Sequence, residues 1–227
     1  TKSGMIIFDG GSSSEDQVGR YRILPYMKYL GYQKIQIAVI SHMDIDHYSG
    51  IKELLEMGKI KYLGLPEIPK DETMKKIIGI AKKRGTTIFY LSRGRQITTK
   101  DGSLKVLHPQ KNSQMEKNAA SLVMQGKILG YRVLLTGDVE KEGEEELLSE
   151  ELERADILKA AHHGSKNSTS NEFLQKVQPK QTVISCGKQN RYGHPHLETI
   201  HRLQTYRTKI YRTDRSGAII FFKRRDG

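Results

Sequence analysis

Four side chains of the kinds that bind metal ions lie close together in the segment SHMDIDHYSG (residues 41–50). These imidazoles and carboxylates fall within six positions and are His42, Asp44, Asp46 and His47. They follow the apolar run IQIAVI (35–40), which is typical of a buried strand. If the segment stays extended, residues 42, 44 and 46 share one side, and His47 follows where the chain turns. Neighbouring carboxylates repel each other unless cations lie between them, so the pattern predicts a metal site.

Similar polar side chains stand where other predicted strands begin or end. They are Asp9 after MIIF, Asn118 before ASLVM, Asp138 after VLLTG, His162 and His163 after ILKAA, and His194 beyond the strand that ends at Cys186. Loops at strand ends are held by a rigid sheet, which makes them common places for functional sites. We therefore expect these residues to converge on the first segment. Two metal ions about 3.5–4 Å apart form the arrangement that hydrolyses phosphate esters.

Hydrophobic periodicity and turn residues predict the elements that position these side chains. Strands are predicted at 5–11 (ending in a glycine turn), 35–40, 61–65, 86–91, 95–99, 103–108, 119–126, 131–138, 155–161, 181–186, 209–213 and 217–222. Helices are predicted at 20–30, from Ser49 to 55, at 71–84, 142–153 and 171–177, and from the loop 187–196 to 206. This favours an α/β fold of two mixed sheets with helices on the outside. No linker interrupts the pattern, so residues 1–227 are predicted to form one domain.

Composition narrows the classes of function. The chain has 227 residues, 36% of them hydrophobic, and a net charge of +12 from 38 Lys and Arg against 26 Asp and Glu. This excess indicates either a polyanionic partner, such as nucleic acid or an anionic membrane surface, or a merely basic surface. The single cysteine, Cys186, excludes an internal disulfide. No dinucleotide fingerprint or P-loop is present, so no nucleotide cofactor is predicted.

These motifs resemble a known family. SHMDIDHYSG resembles the His-x-His-x-Asp-His signature of the metallo-β-lactamase superfamily, with Asp44 where the second His usually stands, and MIIFDGG, TGDV and LKAAHHGS follow in the family's order. More narrowly, KNAASLVM, TGDVEKEGEEELL, LKAAHHGSKNSTS and NRYGHPH are similar to the C-terminal domain of ComEC-type competence proteins, the bacterial DNA-uptake channels. The resemblance covers essentially the whole chain. It implies a metallo-β-lactamase-type αβ/βα sandwich of two mixed sheets flanked by helices.

The resemblance implies a role for each matching residue. Asp9 would orient the ligand turn, and Asn118 would support the site. The ligands would be His42 and Asp44 for a first ion, Asp46 and His47 for a second, and Asp138 as the carboxylate that bridges both. The late histidine ligand is either His162 or His163, and the sequence leaves both open.

One departure from the superfamily pattern bears on the choice of metal. The third-motif histidine is absent, and Asn118 and Ser121 stand in its region. Together with Asp44, this makes the site richer in oxygen, which favours Mn²⁺ or Mg²⁺ relative to Zn²⁺. We expect two divalent ions, with Mn²⁺ favoured and Mg²⁺ or Zn²⁺ as alternatives. The opposing interpretation is a degenerate site in which metal binding is weak or lost.

Residues outside the ligand motifs carry further hypotheses. His194 is a candidate general acid or late metal ligand, against an ordinary capping or packing role. Arg191 and Tyr192 are candidate contacts for a nucleotide backbone and base. Ser165 and the hydroxyls at 168–170 either hold a phosphate or only cap a helix. The basic end at 223–225 is either a DNA contact or a solvated tail.

The resemblance implies a metal-dependent nuclease domain. Its substrate would be DNA, single-stranded DNA favoured, and its expected role is to degrade the strand that is not taken up during competence. In such proteins a domain of this kind belongs to a multi-pass protein of the bacterial cell membrane, with the transmembrane channel as its partner and the domain itself on the outer face. A first family strand is expected to be missing before Thr1. The alternatives are a phosphodiesterase on a non-DNA substrate and a non-catalytic DNA-binding module with a vestigial metal site.

Overall fold

The computed structural model describes residues 4–116 and 118–223, which build two β-sheets. The smaller sheet has the strand order β1-β2-β3-β4, and its members are β1 (Met5–Phe8), β2 (Ile35–Val39), β3 (Ile60–Pro66) and β4 (Thr87–Leu91). All three described pairings in this sheet are parallel. Parallel neighbours need crossover connections, and helices supply them here.

The larger sheet has seven strands in the order β11-β10-β9-β8-β7-β6-β5. They are β5 (Gln96–Thr99), β6 (Gly102–His108), β7 (Val123–Ile128), β8 (Tyr131–Leu135), β9 (Ile157–Lys159), β10 (Gln181–Ile184) and β11 (Lys209–Arg212). The pairings from β5 to β8 are antiparallel, and those from β8 to β11 are parallel. This sheet is therefore mixed.

Helices connect most of the parallel strands. They are α1 (Leu24–Tyr29), α2 (Ile45–Glu56), α3 (Glu72–Lys83), α4 (Lys141–Leu148), α5 (Asn171–Val177), α6 (Leu197–Thr205) and α7 (Thr213–Ser216). A π-helical turn, Gly19–Ile23, leads into α1, and a 3₁₀ turn, Ala161–Gly164, follows β9. No helix in the described part of the chain has both the length and the apolar content of a membrane span.

Apolar side chains form three buried layers. One layer packs the smaller sheet against its helices around Ile51 and Leu63, and another packs the larger sheet against its helices around Phe173 and Leu158. The third joins residues of both sheets, namely Val39, Leu91, Ile97, Leu104, Val106, Leu122 and Met124. The two sheets thus face each other with helices outside, which confirms the expected sandwich.

Several predicted boundaries were wrong, two of them near the site. Helix α2 begins at Ile45, not after Ser49, because Asp44 is its N-cap and the Asp44 carbonyl accepts the His47 N–H at 3.0 Å. The extended alternation of residues 42, 44 and 46 is therefore wrong, since Asp46 lies in the first helical turn. The acidic helix spans Lys141–Leu148 rather than 142–153.

Two further predictions about the sheets need correction. Residues 217–222 do not form a strand, because α7 turns the chain at Gly217, where φ is +67°, and the Phe221 ring then packs against Tyr131 and Tyr211. The smaller sheet is parallel rather than mixed. Of the basic segment 223–225, residues 224 and 225 lie outside the described residues.

Candidate metal centre

The turn after β1 holds His47, the histidine in the first turn of α2, in place. Asp9 accepts hydrogen bonds from the Ser41 N–H at 2.7 Å and the Ser41 hydroxyl at 2.8 Å. Its Oδ2 atom also lies 2.8 Å from Nδ1 of His47. This contact fixes the proton of His47 on Nδ1 and leaves Nε2 free to bind a metal. Asp9 therefore occupies the supporting position that the sequence predicts for it.

A glycine lets this turn approach the helix closely. A Cβ atom on Gly11 would lie 2.5 Å from the Ile45 carbonyl oxygen and 2.8 Å from the carbonyl carbon of Asp46. Real side chains do not tolerate such distances, so the turn fits against the first turn of α2 only because residue 11 has no side chain. The close fit positions Asp46 and His47 together.

The loop after β8 brings a carboxylate from the larger sheet to the same place. Asp138 is buried, and its Oδ2 atom lies 3.1 Å from Nε2 of His47. Gly137 precedes it with a φ of +52°, and a Cβ there would lie 2.9–3.0 Å from Ser121 and Ser41. A side chain at residue 137 would therefore collide with Ser41 of the loop after β2.

The structure separates the two adjacent histidines after β9. Nδ1 of His163 lies 2.6 Å from the Ser185 carbonyl, and its Nε2 lies 3.2 Å from both Asp46 and Asp138. His162 turns the other way. Its Nδ1 lies 2.7 Å from Glu140, and its Nε2 is 3.8 Å from Oδ2 of Asp138. His163 is therefore the better placed of the two alternatives, and its proton on Nδ1 leaves Nε2 as a donor atom.

Two overlapping groups of side chains have donor atoms within 4.8 Å of one another. They are His42, His47 and Asp138, and Asp46, His47 and His163. Four buried donor atoms in these groups have no hydrogen-bond partner of good geometry, namely Nε2 of His42, His47 and His163 and Oδ1 of Asp138. Buried polar atoms without partners are costly, and a divalent cation would satisfy them. The donor set therefore fits a divalent metal site, and the number of ions stays a prediction.

Asp44 lies at the edge of this set. Its Oδ2 atom is 3.6 Å from Nε2 of His42, its side chain is 38% exposed, and it belongs to neither group. As the N-cap of α2 it keeps extended backbone angles, which place it before the helix rather than on it. Asn118 lines the same cavity beside it.

The electrostatics of the centre couple its acids and bases. Burial lowers the pKa of His47, but the negative charges of Asp9 and Asp138 outweigh it and raise the pKa to about 10. His163 behaves alike, since contacts with Asp138 and Asp46 raise its pKa to about 9 against the effect of burial. Burial raises the pKa of Asp46, yet the two histidines bring it down to about 2. Asp46 is thus ionised near pH 7, and its negative charge attracts cations.

A short stack of rings covers one side of the centre. The His194 ring lies between those of His163 and Tyr192, at 6.2 and 5.8 Å, with an interplanar angle of 24° to each. Burial and the neighbouring imidazoles of His162, His196 and His163 lower the pKa of His194 to about 4. His194 is therefore neutral near pH 7, which weakens its candidacy as a general acid. Its role stays a prediction.

The hydroxyl-rich loop before α5 is mostly engaged in its own hydrogen bonds. Ser170 caps α5 by accepting the Phe173 N–H at 3.2 Å, and Ser168 donates to the Ala161 carbonyl at 2.9 Å. Ser165 is buried and accepts the Asn167 N–H at 3.3 Å, although it also lines the metal cavity. Helix capping thus accounts for Ser170, and a phosphate contact at Ser165 stays a prediction.

Two site residues have no counterpart among the sequence predictions. Glu140 holds His162, and Lys159 donates to the Gly137 carbonyl at 3.0 Å while its Nζ lies 3.7 Å from Oδ1 of Asp138. The alternation Asp138-Val-Glu140 in the TGDVE segment was a usable signal for the glutamate. Lys159 lies within an apolar strand, which gave no such signal.

Three side chains of the two groups, Asp46, Asp138 and His163, line a cavity of about 490 Å³. It is lined by Asp44, Asp46, Asn118, Asp138, Glu140, His162, His163, Ser165, Lys166, Asn167, Tyr192, His194 and His196. This volume lies in the range of small-molecule sites, and its lining is polar. A substrate can therefore reach the donor atoms from solvent.

Comparison with known proteins gives consistent matches. A model of the "Metallo-beta-lactamase superfamily" matches residues 1–188. The chain is 38% identical to ComE operon protein 3 of Bacillus subtilis (strain 168) over 216 residues, which cover 92% of this chain and 27% of that protein. It is 30% identical to competence protein ComA of Neisseria gonorrhoeae, over 100% of this chain and 30% of that protein. The chain thus spans less than a third of the length of these relatives.

Solved structures agree on the fold. The metallo-beta-lactamase fold protein YhfI from Bacillus subtilis superposes with a TM-score of 0.59. The match covers 93% of this chain and 85% of that structure at 14% sequence identity. Identity this low supports a common fold and carries no information about substrate.

Proposed function

This chain belongs to the metallo-β-lactamase superfamily, and from that premise we propose that it is a metal-dependent phosphodiesterase that cleaves DNA. The observation that carries the proposal is the pair of overlapping groups around His47, in which four buried atoms have no hydrogen-bond partner of good geometry and three side chains, Asp46, Asp138 and His163, line a solvent-accessible cavity. The arrangement combines imidazoles and carboxylates on rigid strand ends and one helix start. Divalent ions held there would supply Lewis-acid activation of water and stabilise charge on the phosphoryl oxygens.

The residues of the chain have distinct parts in this function. Asp9 and the Ser185 carbonyl contact Nδ1 of His47 and His163, which leaves the Nε2 atoms of both rings as the atoms that would bind metal. Asp138 belongs to the first group, and its Oδ2 atom lies 3.1 Å from Nε2 of His47 and 3.2 Å from Nε2 of His163, which supports the proposal that it would serve as the shared carboxylate of two ions. Lys159 positions the Asp138 loop through the Gly137 carbonyl.

DNA is the substrate that charge and similarity favour. The chain carries a net charge of +12, and the relatives that it matches include one named a competence protein. Tyr192 lines the metal cavity, and the Arg191 guanidinium lies 4.8 Å from the centre of its ring. An exposed aromatic ring beside a cation is a common contact for single-stranded nucleic acid. We therefore favour single-stranded DNA.

The proposal extends to the context of the whole protein. By similarity, the domain would be the nuclease part of a bacterial DNA-uptake channel and would degrade the strand that is not transported. Its partner would then be the transmembrane portion of the same protein, with the domain on the outer face of the cell membrane.

Manganese is the ion that the donor set favours. Asp46 and Asp138 contribute oxygen atoms to the two groups, Asp44 lies at their edge, and Asn118 lines the same cavity without adding an imidazole nitrogen. A site with this share of oxygen ligands suits Mn²⁺ or Mg²⁺ better than a site built of imidazoles, which suits Zn²⁺. We therefore expect Mn²⁺ to give the highest activity.

The test uses metal-free protein with end-labelled single-stranded and double-stranded DNA, titrated with Mn²⁺, Mg²⁺ or Zn²⁺. Asp46→Ala removes one donor, and Glu151→Ala removes an exposed carboxylate elsewhere as the matched control. We expect metal-dependent cleavage by the wild type and Glu151→Ala, and none by Asp46→Ala. Hydrolysis of small phosphodiesters with no cleavage of DNA would point to a different substrate. Salt-sensitive DNA binding without cleavage by any ion would point to a non-catalytic module.

A further inference from the structure

A second cavity adjoins the metal centre. It has a volume of about 340 Å³ and lies between the loop at 11–14 and the segment 185–192. It shares four lining residues with the metal cavity, namely Asp46, His163, Tyr192 and His194. Two of these four carry donor atoms of the metal centre. A group bound in the second cavity would therefore be the immediate neighbour of a group bound at the metal centre.

One wall of the second cavity is a preformed loop of hydroxyls. The Ser12 N–H donates to the Ser49 hydroxyl of α2 at 3.0 Å, and the Ser12 hydroxyl accepts the N–H groups of Ser14 and Glu15 at 3.1 and 2.9 Å. These bonds fix the loop on the helix that carries Asp46. Ser13 is exposed, so its hydroxyl can be offered to a ligand.

The opposite wall is also held in shape and carries positive charge. The Asn190 side chain donates to the carbonyls of His194 and Gly187 at 2.6 and 3.0 Å and accepts the His194 N–H at 2.9 Å. Lys188 and Arg191 extend from this wall. Asp46 is the single carboxylate among the described residues that line the cavity, and it is engaged at the metal centre.

We infer that this second cavity is a nucleotide subsite, which holds the nucleotide next to the scissile phosphate. The inference rests on the proposed function and narrows it, because it makes a polynucleotide the preferred substrate rather than a small phosphodiester. Lys188 and the Ser13 hydroxyl contact the neighbouring phosphate as charged and neutral donors. Arg191 and Tyr192, which are hydrogen-bonded at 2.5 Å, flank the adjoining sugar and base.

The first experiment measures binding of a fluorescein-labelled oligothymidylate by anisotropy in EDTA, where no cleavage occurs. Lys188→Ala removes the cation, and Ser13→Asp adds a negative charge at an exposed position that bears no structural bond. We expect each to weaken binding about tenfold. Lys188→Ala should also reduce the slope of log affinity against log salt by about 0.7–1. Lys83→Ala, on the exposed end of α3, is the control with the same charge change and should bind like the wild type.

The second experiment compares hydrolysis of oligothymidylates of increasing length with that of bis(p-nitrophenyl) phosphate. For the wild type we expect kcat/KM to rise about tenfold once the chain is long enough to fill the subsite, and most of that rise to disappear in Lys188→Ala and Ser13→Asp. Variants that keep both the full rise and wild-type binding would overturn the subsite. If no oligonucleotide is cleaved but the small diester is, the proposed DNA substrate fails. In that case the oligothymidylate affinities of Lys188→Ala and Ser13→Asp, compared with the affinity of Lys83→Ala, still decide for or against the subsite.

Discussion

Oδ2 of Asp9 lies 2.8 Å from Nδ1 of His47, and this contact joins the end of β1 to the first turn of α2. The same carboxylate accepts two hydrogen bonds from Ser41, the residue before His42. One buried side chain thereby sets the orientation of the turn that carries the first half of the metal centre. A supporting carboxylate of this kind typically contributes about 10–100-fold to metal affinity by orienting the ligand.

Asp9→Asn should weaken metal binding without unfolding the protein. The amide can still accept from Ser41, but it no longer holds the His47 proton on Nδ1 with a negative charge. We expect the affinity for Mn²⁺ to fall about 10–100-fold, as is typical when a supporting carboxylate is lost. Calorimetric titration of metal-free protein measures this. Asp71→Asn is the control, because Asp71 caps α3 and asparagine caps equally well. Equal affinities in wild type and Asp9→Asn would contradict the orienting role.

His163→Ala and His162→Ala should differ in their effect on metal affinity. Only His163 has its Nε2 within 3.2 Å of Asp46 and Asp138, whereas His162 is held by Glu140. We expect His163→Ala to lower Mn²⁺ affinity by more than about 100-fold, and His162→Ala by less than about tenfold. The same titration decides between them. The reverse order would make His162 the late ligand.

The choice between these histidines shows where sequence reasoning ends. The motifs LKAAHHGS and SHMDIDHYSG predicted a cluster at strand ends, because apolar runs and polar ends are local signals. Which ring turns inward depends on left-handed backbone angles, with φ of +44° and +53°, and on Ser185 and Glu140, which come from other strand ends. Such tertiary partners have no local signature.

The same limit explains the errors in the elements. The apolar run at 217–222 has strand-like composition, but α7 and the turn at Gly217 redirect the chain before it, so it does not pair with the edge strand β11. The start of α2 was misplaced because Asp44 fits both a ligand pattern and an N-cap pattern. The succession of most strands and helices along the chain, and the placing of helices outside the sheets, were predictable from hydrophobic periodicity.

Arg202 should stabilise the loop that leads from the site to α5. Its guanidinium donates to the carbonyls of Lys166, Ser168 and Thr169 at 2.9–3.1 Å. Lysine cannot reproduce this fork, so we expect Arg202→Lys to lose about 1–2 kcal/mol of unfolding free energy and Arg202→Ala about 2–3 kcal/mol. Urea denaturation measures both. Arg154→Ala, at an exposed position, should leave stability within about 0.5 kcal/mol of the wild type. If Arg202→Ala and Arg154→Ala lose the same unfolding free energy, the hydrogen bonds of the Arg202 guanidinium do not stabilise the loop.

Metal affinity should continue to rise with pH well above the usual range for histidine. The folded-state pKa of His47 is about 10 and that of His163 about 9, both above the ordinary value near 6.5. Protonated His47 and His163 stabilise the metal-free fold fully below pH 6.5, and that stability is lost as the pH rises through 9–10. Because a metal must displace these protons, Mn²⁺ affinity should increase about 10–100-fold per pH unit from 7.0 to 8.5.

Two measurements check this pH dependence. Titrations at pH 7.0, 7.75 and 8.5 give the slope of the affinity, and the Tm of metal-free protein should fall over the same range while that of the Mn²⁺-loaded protein does not. Asp9→Asn is informative here, because loss of the negative charge beside His47 should lower its pKa and shift the rise in affinity to lower pH. An affinity that is already level at pH 7.0 in the wild type would show that these histidines titrate normally and that the carboxylates do not hold their protons.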